Sequence, residues 1–198
     1  MRSALYLIFI LVAAPAVAQQ PTQCDLLAGH VEDPDKVGPG ALRVADNKAA
    51  IAACEKDLAT DLANRRLRYQ LSRVQFYDGQ TEIAMQNLGA AAKAGSQQAQ
   101  FVFGYITDAG LQGVKKDSCL VEDMWVRSAR QGRFAAQVSY PHHVMGGNFN
   151  GCKLQASDDE MAEFLARAVK NAGPFGYYAE VLAATLAKEF VAYRNGKK

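Results

Sequence analysis

The chain is poor in the side chains that most often carry chemistry. Histidine occurs three times in 198 residues. His30 lies in a turn-rich leader, while His142 and His143 are adjacent and so face different ways on a helix. No helical His-Glu-x-x-His is present, and no serine sits in a nucleophile-elbow pattern. Gly146-Gly147-Asn148 lacks the lysine and the second-glycine spacing of a phosphate loop. Asp158-Asp159-Glu160 is acidic, but it falls at an expected helix start, where carboxylates face the positive end of the dipole. These gaps speak against the common hydrolase and nucleotide-binding constellations, so no catalytic residue, metal ligand or cofactor is expected.

Charge of one sign is also missing. The formal net charge is +2, with acids and bases interspersed, so nothing resembles the basic stripe of a nucleic-acid binder. Lys197 and Lys198 form a short solvated tail. Sustained apolar–polar alternation bounded by hairpin turns is absent and alanine is abundant, which excludes a sheet and points to an all-α chain. One long apolar run occurs, Leu5 to Ala14, and no second stretch approaches membrane-spanning length. With Arg2 ahead of it and Ala16-Val17-Ala18 behind it, that run reads as a secretory signal over residues 1–18. Gln19 rather than a cysteine follows, which speaks against a lipid anchor. The expectation is a periplasmic or secreted single domain of about 180 residues with no membrane span after cleavage.

What the chain does have is a repeat. AKAGSQQAQFVFG at 92–104 and ARQGRFAAQVSYP at 129–141 share Ala92/Ala129, Gly95/Gly132, Ala99/Ala136 and Gln100/Gln137, a period of 37 residues. That length marks a helical-hairpin solenoid, whose units bury apolar faces only against their neighbours. Apolar spacing gives a helix at about 47–61, then pairs at about 64–77 with 81–94, 97–109 with 118–131, and 133–146 with 158–171. A last helix at about 175–193 closes the array. Residues 19–63 form an N-terminal capping segment, 64–193 the repeats and 194–198 a tail. Glycines 79, 95, 113, 132 and 173 stand where left-handed helix ends are expected. Asp117 and Ser157 are expected N-caps, Ser157 in a capping box with Glu160. Pro141 removes one helical hydrogen bond and should kink or break its helix. With Gly146-Gly147 following, an irregular tip is expected there.

Four cysteines remain beyond the signal: Cys24, Cys54, Cys119 and Cys152. In an exported chain an even count argues for disulfides. The favoured pairs are Cys24–Cys54 and Cys119–Cys152, each about one repeat apart. The competing reading is a metal site from Cys119, His142, His143 and Cys152, whose spacing matches no compact zinc pattern.

Ala99-Gln100, Phe103-Gly104, Gly113-Val114-Lys115-Lys116-Asp117, Met124-Trp125 and Ala129-Arg130-Gln131-Gly132 follow one another in the order of a Sel-one-like repeat. This stretch resembles that family, a relative of the tetratricopeptide repeat, and the resemblance extends more weakly over about residues 64–190. The next unit departs from it at Tyr140-Pro141. The opening CDLLAGHVEDPDKVGPG, with IAACEKDL after it, is similar to leaders on exported alphaproteobacterial proteins of this class. The resemblance implies a right-handed superhelix that binds another protein and has no chemistry of its own. It further implies small residues Ala99, Gly104 and Ala136 at close helix approaches, with Phe103, Trp125 and Phe164 filling the spaces between pairs.

In such superhelices the first helix of each pair lines the concave face. Residues two before and two after Leu71, Phe103 and Tyr140 share a helical face. The expected partner-binding stripe is therefore Tyr69 and Arg73, Phe101 and Tyr105, Val138 and His142. Tyr177 and Tyr178 either extend it, cover the end of the core or make an oligomer contact, a monomer being the default and a dimer the alternative. The alternative function is a small-ligand or metal-binding protein, or a hydrolase acting on cell-wall material, centred on His142, His143 and the Gly146-Gly147-Asn148 loop.

Overall fold

The computed structural model describes residues 20–196; the expected signal over 1–18, like Lys197 and Lys198, lies outside the described residues. The described residues form nine α-helices: α1 (Gln23–Ala28), α2 (Asn47–Thr60), α3 (Arg65–Tyr77), α4 (Thr81–Lys93), α5 (Gln97–Ala109), α6 (Ser118–Arg130), α7 (Phe134–Met145), α8 (Asp158–Asn171) and α9 (Tyr177–Gly196). No strand occurs among the described residues. Helix α3 pairs with α4, α5 with α6 and α7 with α8, while α1 and α2 pack onto α3 and α9 packs onto α7 and α8. The chain is an all-α helical-repeat solenoid. None of the described helices is long and apolar enough to cross a membrane.

The 37-residue signature is a helix-joining device. Gly95 and Gly132 adopt φ of 89° and 97°, which suits a residue without a Cβ. Their N–H groups donate to Ala92 O and Ala129 O, each at 3.0 Å. Gln100 Nε2 then donates to the same Ala92 O at 3.1 Å, and Gln137 Nε2 to Ala129 O at 3.3 Å. Each glutamine thus adds a second donor to a carbonyl in the last turn of the preceding helix. Asp46, Asn64, Ser96, Asp117 and Ser157 all accept N-terminal amides at the caps.

The core is segmented along the array, as nearest-neighbour packing requires. One cluster joins α1, α2 and α3 around the Cys24–Cys54 bridge, a second joins α3 to α6, and a third runs from Val121 to Phe190. Trp125 is 2% exposed and wedges between units. A Cβ at Gly104 would sit 2.4 Å from its Nε1, which explains the glycine. Phe164 is buried as expected, whereas Phe103 is only half-buried.

Four expectations need correction. Helix α7 runs unbroken through Pro141 to Met145, because Pro141 is buried among the packed helices that hold it. The irregularity comes after it, in the turns of 146–157. Gly173 is not left-handed; it opens a short 3₁₀ turn, and Gly110, at φ 67°, supplies the left-handed end of α5. Ser157 caps Glu160 N, but the Glu160 carboxylate turns to Arg130 at 2.7 Å instead of closing the box, and that guanidinium holds its pKa below the ordinary value. Helix α9 continues past residue 193 to Gly196.

Candidate functional site

The first helices of the three pairs, α3, α5 and α7, carry the expected stripe, but it is not one open surface. Tyr69 and Arg73 on α3 are 2% and 6% exposed. Arg73 is covered by the leader: Nη1 donates to Ala28 O and Gly29 O, each at 2.9 Å, and Nη2 to Ala41 O and Leu42 O, each at 2.8 Å. Its Nε reaches Tyr77 Oη at 3.4 Å, so all five N–H groups are engaged. The leader is fastened further by Asp25 to Arg66 and Gln70, by Asp35 to Arg65, and by Glu32 to Arg133 at the start of α7 at 2.6 Å. It therefore covers the first-helix face at α3 and reaches the start of α7 through one ion pair.

The other end is covered too. Val138 on α7 is buried, and with His142 it forms a small pocket of ≈ 130 Å³ against Leu182 and Leu186 of α9. Helix α5 keeps its face accessible. Tyr105 is 50% exposed and stacks on half-buried Phe101, which in turn stacks on Trp125 at 5.7 Å and lies under the Arg133 guanidinium at 5.5 Å. The open part of the stripe is thus Phe101 and Tyr105 with exposed His142 beyond.

His142 and His143 diverge, and only His143 is packed into the core. Its ring sits edge-on to Trp125 at 4.7 Å and near Phe149, with Nδ1 3.1 Å from Ser139 O and Nε2 3.3 Å from Asp108. Both cysteine pairs are disulfides, Cys24–Cys54 and Cys119–Cys152. The four-ligand zinc set is therefore not assembled, since the sulfurs of Cys119 and Cys152 are bonded to each other. The loop after α7 is pinned by that bridge and by buried Glu122, which accepts from Tyr140 Oη and Gln155 N, each at 2.7 Å. Burial and that carboxylate hold the Tyr140 phenol well above its ordinary pKa. Among the described residues no group of three or more acidic, histidine or cysteine side chains is placed to hold a metal ion.

Sequence reasoning missed a cavity of ≈ 200 Å³ between α3, α4 and α5, with His30 of the leader in its wall. Tyr69, Arg73 and Tyr105 of the stripe line it, together with Tyr77 and Gln98. Gln97-Gln98-Ala99-Gln100 carries a local hint, three glutamines on the turn that starts α5. Tyr177 and Tyr178, 72% and 86% exposed, stand apart from this region at the start of α9.

No protein-family model matches the chain, and no curated protein does. Among solved structures it is similar to a Sel1 repeat protein from Oxalobacter formigenes, with 22% identity and a TM-score of 0.52 over 68% of this chain and 97% of that one. It is also similar to c5321, a protective antigen present in uropathogenic Escherichia coli strains that displays the Sel1-like repeat fold. There the identity is 21% and the TM-score 0.54, over 86% of this chain and 37% of that one. The shared feature is the Sel1-like repeat fold.

Proposed function

We propose that this protein is an exported scaffold, periplasmic or secreted, that binds another protein along the concave face of its solenoid and so regulates or assembles an envelope protein. The observation that carries the reading is the open aromatic surface of α5, Phe101 and Tyr105, left between a leader that covers α3 and a last helix that covers part of α7. Accessible aromatics on a rigid helix supply large contact area at low entropic cost. Two disulfides support an oxidising compartment, as does the signal-like start of the chain. The absence of an acid–base or nucleophile arrangement in the sequence supports binding rather than catalysis.

The test is affinity capture from the native cell envelope with the oxidised protein and a Phe101→Leu/Tyr105→Ser variant whose melting temperature has been checked. A partner held by the wild type and lost by the variant supports the reading. The same partners on both, or none on either, sinks it.

A further inference from the structure

The cavity beside Tyr105 has the size and chemistry of a side-chain pocket. At ≈ 200 Å³ it exceeds the roughly 150 Å³ apolar cavity known to accept one benzene molecule, so one ring with a substituent fits. Phe76, Leu88, Val102 and Ile106 make most of the wall apolar. One of its polar members, with His30, Ser72 and Arg73, is Gln98, 3% exposed. Its Nε2 donates to Tyr69 Oη at 3.2 Å, while its buried Oε1 has no partner. An unpaired buried acceptor is costly, so Oε1 marks a position that a donor would satisfy. The Tyr69 hydroxyl, which accepts the Gln98 bond, keeps its own proton to give. A hydroxyl on the incoming group answers both needs, donating to Oε1 and accepting from Tyr69. Turning the Gln98 amide over exchanges the roles, and a hydroxyl fits that arrangement as well.

The charges in the wall select against ions. Arg73 contributes a positive charge but no free N–H, so it repels an ammonium group and offers no hydrogen bond to a carboxylate or phosphate. Burial and Arg73 hold the His30 pKa below its ordinary value, leaving the ring neutral near pH 7. Tyr77 and Tyr105, half-exposed members of the same wall, frame the mouth toward the α5 surface.

We propose that this cavity is an anchor pocket for a single tyrosine side chain of the bound protein, its ring against Leu88, Val102 and Ile106 and its hydroxyl on Gln98 and Tyr69. This rests on the reading of the concave face as a binding face. It also explains why the open aromatics sit on α5: they flank the pocket that a partner's tyrosine enters.

The experiment is an NMR titration of the oxidised protein with p-cresol and, in parallel, with toluene. The expected result is p-cresol binding with shift changes centred on Tyr69, Gln98 and Tyr105, and toluene binding about ten- to a hundredfold more weakly, as two hydrogen bonds dictate. In a Gln98→Leu variant, which removes one of the two partners and leaves Tyr69, the preference falls about three- to tenfold. A Val102→Phe variant, which fills the pocket without removing a polar partner, loses both ligands. Equal binding of the two by the wild type, or shifts centred elsewhere, overturns the proposal. Envelope capture repeated at saturating p-cresol separates the two readings. Partners released by p-cresol support the anchor. Partners that persist with p-cresol, yet are lost from Phe101→Leu/Tyr105→Ser, overturn the pocket and leave the groove. If nothing is captured at all, the protein-binding reading fails, and the partner tyrosine with it, even where p-cresol binds.

Discussion

Gly104→Ala tests whether the small residue of the repeat exists to admit the tryptophan of the following helix. A Cβ at 104 would lie 2.4 Å from Trp125 Nε1 and 2.6 Å from its Cδ1, distances that real Cβ contacts do not reach. The indole has nowhere to go. It is 2% exposed, stacks on Phe101, meets His143 edge-on at 4.7 Å and donates from Nε1 to Phe101 O at 3.0 Å. Overpacking of this kind costs about 1–3 kcal/mol, and loss of the indole hydrogen bond adds about 1 kcal/mol. Replacing a helical glycine by alanine returns about 1 kcal/mol of backbone entropy. The net expectation is a loss of about 2 kcal/mol, which for a chain of this size lowers the melting temperature by about 4–8 °C. Gly89→Ala is the control with the opposite sign. Its Cβ would make an ordinary 3.6 Å contact with Phe103, so the entropic gain of up to about 1 kcal/mol should appear as added stability. Urea unfolding followed by fluorescence reads both, because Trp125 is the only tryptophan in the chain. A Gly104→Ala protein as stable as the wild type, or a Gly89→Ala protein destabilised equally, refutes the packing argument.

Reduction should lower stability by about 3–4 kcal/mol per bridge in the chain-entropy model, since the bridges span sequence separations of 30 and 33. Cys24 and Cys54 are fully buried whereas Cys119 is exposed, so timed alkylation under mild reductant should label Cys119 and Cys152 first. Asp33 is buried and desolvation raises its pKa from 3.8 to about 6, despite an amide bond from Asp35 and the charges of Arg133 and Lys36. Below pH 4 both states are protonated and nothing is lost. As pH rises through 4 to 6 the unfolded carboxyl ionises first, so stability falls by up to about 3 kcal/mol and stays lower above pH 6. Asp33→Asn should flatten that slope in melting curves taken from pH 3.5 to 7.5. Arg73→Ala removes the guanidinium from four leader carbonyls, of which Gly29 O keeps the Ala41 amide, and should cost about 2–4 kcal/mol. Limited proteolysis should then cut within residues 29–42, where the wild type resists.

The helix ends were legible because their causes are local. A capping side chain reaches three residues, as from Ser96 to Ala99 N or Asp117 to Leu120 N, and a left-handed glycine acts on its own turn. The repeat was legible for the same reason, since Gln100 and Gln137 each span eight residues to one carbonyl. The Cys119–Cys152 pairing followed from the repeat, because that bridge joins adjacent units, whereas Cys24–Cys54 ties α1 to α2 ahead of the repeats. Failures began where a local signal competed with a distant partner. Glu160 had a near partner in its own cap and a distant one in Arg130, and the charged pair won.

By itself, then, the sequence determined that the chain is a helical solenoid, where most of its helices start and stop, and that Gly104 marks a close helix approach and Trp125 a space between pairs. Tertiary structure alone decided which part of the first-helix face remains open. Tyr69, Arg73 and Val138 obey the same helical register as Phe101 and Tyr105, so no local pattern distinguishes them. Their exposure is set by chain that arrives from far away: leader carbonyls more than 30 residues before Arg73, a Glu32–Arg133 pair 101 residues apart, and α9 folding back over Val138. The cavity at Gln98 has the same origin, because its walls come from three helices and the leader, and periodicity along one helix carries no record of what packs against it.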